Sequence, residues 1–222
     1  MTPTVGEDLL LLLCRPAPVL PAAGEHLLFP ALAGAVLAEL GLGGHVRTVP
    51  GRGGSTRVEA IAGCPPADDV LRSAWDQLTG RPREAQAVLA VLGPSLRVLL
   101  LDRLVRRGDL HRPARGTLGS VGLHELAARD SGHRERVLSA VRETLVGKAG
   151  APDRIVAVAA LLSACGLLRS FDPRIPWTPA VAARAEQLER DHWAALVVAE
   201  AVGRSVAVAL AANLFVAAAV LR

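Results

Sequence analysis

The chain has 222 residues, enough for one domain or two small ones with a substantial core, and 51% of them are hydrophobic while only 3% are aromatic. Its three cysteines, Cys14, Cys64 and Cys165, are widely spaced with no C-x-x-C pair, which argues against a disulfide framework or a zinc site and for a reducing, cytoplasmic compartment. The formal charge is +4, Lys148 is the only lysine among the 25 cations, and so slight a balance permits anionic partners without requiring them.

In chain order, the first feature is "GEDLLLLLC", residues 6–14. A secretion signal needs cations ahead of its apolar run, and Glu7 and Asp8 stand there instead. Leu9 to Leu13 is far short of the roughly 20 residues that span a bilayer. Carboxylates do suit a helix N-terminus, so a short helix is expected, apolar all round and buried. Prolines 16, 18 and 21 follow, and then a helix with Pro30 in its first turn that stops at Gly41, Gly43 and Gly44. "HVRTV" and "TRVEAI" alternate around "PGRGGS", which predicts a β-hairpin over about 45–62 with a basic tip. Asp68 opens a helix carrying Val70, Leu71, Ala74, Trp75 and Leu78 on one face.

A helix from Glu84 to Leu92 is expected to break at Gly93-Pro94, and a second to run from Ser95 to Arg107 and end at Gly108. "DLHRPARGTLGSVGL" reads as a turn-rich link or as a second short hairpin over about 110–123. Val137, Leu138, Val141 and Leu145 mark another amphipathic helix. Pro152 starts one whose stretch from Ile155 to Cys165 carries no charge, as a fully buried element would. Ser205 to Leu221 also lacks charge; with Asn213 in its middle and so much alanine it reads as a core helix, a membrane span being the other reading. Residues 1–222 are expected to form a single, mainly α-helical domain with a β-hairpin.

Motifs for chemistry fall short. "HELAA" from His124 has Ala128 where a zinc protease needs its second histidine. "GRGGST" has glycines but no lysine and leads into a strand, and "GTLGSVG" is not a nucleophile elbow. The pairs Glu7–Asp8 and Asp68–Asp69 sit at helix starts, where capping explains them. No catalytic residue, metal ligand or cofactor is assigned, and the protein is expected not to be an enzyme. Six arginines lie between Arg97 and Arg115, and Arg47, Arg52 and Arg57 lie in the hairpin. A guanidinium grips phosphate through two parallel bonds, so such clusters suit phosphorylated ligands and anionic membrane surfaces. Nucleic acid is disfavoured by the scarcity of stacking aromatics.

Several stretches, taken in order, resemble the Golgi phosphoprotein 3 family, including its bacterial relatives. They are "EDLLLLL", "ALAGAVLAELGLGGHV", the hairpin followed by "PPADDVLRSAWDQL", "DRLVRRGDL" and "PDRIVAVAALLSACGLL", spanning about 7–168. The resemblance implies one mainly helical domain, a hairpin used for self-association into homo-oligomers, and peripheral binding to membranes through phosphatidylinositol 4-phosphate, as an adaptor. The family's lipid pocket uses a tryptophan before the first long helix, an arginine inside it, and two arginines three apart ahead of "LVxxGxL". Aligned on "LVRRGDL", one of these four groups survives, as Arg97; the others fall on Pro94, on Ala33 and near Gly24. Arg97 is therefore the expected headgroup contact, with Arg52, Arg57, Arg103 and Arg107 as secondary basic-surface candidates. The expected function is a non-enzymatic peripheral membrane adaptor that binds anionic phospholipid or phosphoinositide headgroups. The alternative is a soluble helical module for protein interaction or self-association that has lost lipid binding.

Overall fold

A computed structural model describes residues 2–14, 25–111, 126, 128–129, 132–147 and 150–204. Helix α1 (Val5–Leu13) is the axle of the fold, and all nine of its residues are buried. Thr4 starts it with a reciprocal cap: its hydroxyl accepts the Glu7 amide at 3.3 Å, and its own amide donates to Glu7 Oε2 at 3.0 Å. The expected buried leucine helix is thus present. Around it pack α2 (Glu25–Leu42), α4 (Ala85–Arg107), α5 (His133–Leu145) and α6 (Asp153–Ala164). Helix α2 starts earlier than expected, so Pro30 lies inside it and not in its first turn. An inner proline forgoes one helix hydrogen bond, and here packing of the surrounding apolar residues outweighs that loss.

The hairpin forms β1 (Val46–Pro50) and β2 (Thr56–Ala60), paired antiparallel from Val46 with Ala60 to Pro50 with Thr56. Its tip turns at Gly53 and Gly54, whose φ of 64° and 80° a side chain rarely adopts. A two-residue strand, β3 (Arg83–Glu84), adds to β2 and leaves β1 at the open edge. Helix α3 (Asp69–Asp76) follows its N-cap Asp68 and fastens to the sheet through Trp75 Nε1, which donates to the His45 carbonyl at 3.0 Å.

The break expected at Gly93-Pro94 does not occur: α4 is one helix of 23 residues ending at Gly108. A Cβ on Gly93 would stand 2.8 Å from both Cβ and the carbonyl oxygen of Phe29, so the glycine is there to let α2 and α4 touch. Of the expected second hairpin, 112–123 lie outside the described residues, and Leu110 bridges to Ala128 instead, antiparallel. Helix α6 is mostly buried from Ile155 onward, as the lack of charge in that stretch foretold. Helix α7 (Pro179–Asp191) and a final helical stretch over 193–204 complete the described fold; the expected helix 205–221 lies outside it.

Candidate functional site

The charged residues gather at the two ends of α1. At its amino end, Glu7 is 2% exposed and Asp8 fully buried. Glu7 accepts Arg107 Nη1 at 2.7 Å and lies 3.7 Å from Arg103 Nη1, both arginines coming from the last turns of α4. Asp8 lies 2.8 Å from His133 Nε2 of α5 and 3.4 Å from Arg154 Nη2 of α6. Arg103 grips Asp68 with both ends of its fork, at 2.7 and 3.0 Å, and also reaches Asp69. Arg107 pairs further with Asp109. The two carboxylate pairs that look like separate helix caps in the sequence are therefore joined by one arginine.

Electrostatics follow from this packing. Burial pushes the Asp8 carboxyl above the usual range, against the opposing pull of Arg154 and His133. Burial also raises Glu39, which accepts the Val5 amide at 2.5 Å. For Asp68, burial pushes upward, but the bonds from Arg103 and from the Leu71 and Val70 amides hold the carboxyl below its ordinary value. Beside the cluster opens a cavity of about 870 Å³ lined by Thr4, Glu7, Glu39, Asp68, Arg103 and Arg107, among others. Its guanidiniums already have carboxylate partners, so the cluster clamps α1 to its neighbours rather than offering free cations.

At the carboxyl end of α1 two arginines are buried. Arg97 of α4 and Arg134 of α5 are 5% and 3% exposed. Both guanidiniums bear on the Cys14 thiol, pulling downward while burial drives it up to about 12. Arg134 Nη2 donates to the Leu12 carbonyl at 3.2 Å, placing a cation at a helix end whose own last turn has none. Burial holds the Arg134 guanidinium below its usual value. It pairs with Glu135 at 3.4 Å, a carboxylate shared with Arg174.

The five candidate arginines do not form one site. Arg103 and Arg107 belong to the amino-end clamp. Arg52 is exposed at the hairpin tip, while Arg57 reaches Glu84 and the Pro82 carbonyl beside β3. Arg97 is with Arg134 at the other end of α1. Arg134 carries no signal in the sequence, because its partner on α1 lies 122 residues away. Ala33 is buried in α2, and Pro94 is exposed on α4. Among the described residues no group of three or more histidine, cysteine or acidic side chains could hold a metal ion.

The fold and its charge clusters define the class: a mainly helical domain with a small antiparallel sheet, wound around a buried leucine helix clamped by ion pairs. The chain belongs to the Golgi phosphoprotein 3 (GPP34) family, whose family model matches residues 5–205. The match reaches past the stretches that carry the resemblance and takes in α7 and the last described helix. A comparison with curated proteins finds no match. No helix among the described residues is long and apolar enough to cross a membrane.

Proposed function

We propose that this protein is a non-enzymatic, cytoplasmic adaptor that attaches peripherally to membranes by binding anionic lipid headgroups of the phosphatidylinositol 4-phosphate class. The observation that carries the reading is the placement of Arg97. It stands with a second buried arginine, Arg134, at the carboxyl end of α1, where both act on the Cys14 thiol. Family membership over 5–205 supports the same assignment. Charge-assisted bonds to a phosphate each contribute about 1.5–3 kcal/mol, so two arginines replace part of what Ala33 and Pro94 no longer supply.

The test is co-sedimentation of the full chain, and of Arg97→Lys and Arg97→Ala, with three vesicle types: neutral, phosphatidylserine-containing, and phosphatidylinositol 4-phosphate-containing. Each is run at low and at physiological salt. Preference for the phosphoinositide that collapses in both variants is expected. Absence of pelleting with every vesicle at physiological salt refutes the reading. A second reading, a self-associating module without lipid binding, is favoured by β1, whose outer edge carries no strand partner among the described residues. A dimer that does not pellet, and that falls apart on Thr48→Pro, would establish it.

A further inference from the structure

Helix α4 carries more apolar surface than the core uses. It buries Val88, Leu89, Leu92, Leu96, Leu100 and Leu101. Its opposite side turns Val91, Val98 and Leu99 outward, 59%, 44% and 46% exposed. Ala87, Ala90 and Pro94 share that outer side, so its surface carries no charge from Ala87 to Leu99. A helix that is hydrophobic all round is normally covered on all sides. The uncharged stretch rises about 18 Å at 1.5 Å per residue, too short to cross a bilayer and suited to lying along its surface.

Three features select a membrane as the cover. Arginines stand at both ends of the strip: Arg81 and Arg83 are exposed just before α4, and Arg106 is exposed in its last turn. Carboxylates flanking the strip are already engaged: Glu84 with Arg57, Asp102 with Arg106, and Glu200, which accepts from Gln86, with Arg204. Pro94, on the outer side, lies three residues before the buried Arg97, so the apolar strip borders the row of α4 that carries the arginine. An apolar band with cations at its rim matches the headgroup region of an anionic bilayer.

We propose that the outer face of α4, from Ala87 to Leu99, is the surface this protein lays on an anionic membrane. Val91, Val98 and Leu99 enter the boundary between headgroups and acyl chains, and Arg81 and Arg83 pair with lipid phosphates. The inference rests on the lipid-binding reading above and adds the docking surface to it. It is tested with the full chain and vesicles of phosphatidylcholine containing either phosphatidylserine or phosphatidylinositol 4-phosphate.

The double variant Val91→Asp/Leu99→Asp is expected to pellet at least tenfold more weakly on both vesicles. Arg81→Ala and Arg83→Ala should each lose about fivefold, less as salt rises. A chain labelled with an environment-sensitive fluorophore at Val98→Cys, in a Cys64→Ser background, should shift to the blue when vesicles are added. If wild type pellets and Arg97→Lys does not, but Val91→Asp/Leu99→Asp pellets normally, the α4 face is overturned and headgroup binding stands. If nothing pellets, both are overturned. If the double variant only converts a dimer to monomers, a second copy covers α4 and the membrane assignment is overturned.

Discussion

Replacing Arg103 by alanine removes the residue that ties three elements together. Its fork holds Asp68 at 2.7 and 3.0 Å, it reaches Asp69, and it faces Glu7 at 3.7 Å. Its side chain is 13% exposed, and those of Asp68 and Glu7 are 17% and 2% exposed, so the loss falls on carboxylates largely out of water. Breaking a buried pair by removing one partner costs about 3–5 kcal/mol. Asp68 keeps its amide donors from Val70 and Leu71, and Glu7 keeps Arg107, which brings the expectation down to about 2–3 kcal/mol. For a chain of this length that is a melting temperature lower by about 5–10 °C at neutral pH. The pH dependence has a definite sign. Asp68 is held below its ordinary pKa, so its contribution is present above about pH 4 and disappears as pH falls through the lowered folded-state value. The gap between wild type and Arg103→Ala should therefore narrow in acid. Calorimetry or circular dichroism melts between pH 7 and pH 3 measure it. Equal melting temperatures at pH 7, or a gap that stays constant to pH 3, would refute the clamp.

The opposite sign is expected at Asp8. Burial raises its folded-state pKa above the ordinary carboxylate value, so its effect on stability worsens as pH rises through the raised value, and Asp8→Asn should gain on wild type as pH climbs above about 4 in paired melts; a constant difference contradicts this. Two glycines should respond in opposite ways. Gly93→Ala drives a methyl into Phe29 at 2.8 Å and should cost about 1–3 kcal/mol, whereas Gly203→Ala meets no atom within 4 Å and should gain about 0.5–1 kcal/mol. Urea titrations of the two variants side by side decide whether the α2–α4 contact is as close as described. Thiol reactivity checks the interior: Cys64 is exposed, while Cys14 and Cys165 are buried and pushed up to about 12. One thiol should react with an aromatic disulfide reagent in the native protein and three after unfolding, and two fast thiols in the native state would mean that α1 or α6 opens.

What could be read from the sequence follows from how far each signal has to travel. Helix α1, the hairpin and the uncharged stretch of α6 from Ile155 are announced by neighbours a few residues apart, and each forms as expected. Gly93-Pro94 misleads because its local meaning, a helix break, gives way to a contact with Phe29 that lies 64 positions earlier. Strand β3 is two residues long and exists only through its pairing with β2, so no alternation could mark it. The charges are the clearest case. Glu7 and Asp8 do sit where a helix dipole favours them, yet their partners come from three later helices, 96 to 146 residues along the chain. Arginine-rich segments near Arg97 look alike in one dimension. In the fold, Arg103 and Arg107 turn to the carboxylates at the amino end of α1, while Arg97 lies near Cys14 at its carboxyl end. Composition reports the number of cations; only the fold decides which of them are already neutralised. That difference identifies Arg103 and Arg107 as parts of a clamp that holds α1 in place.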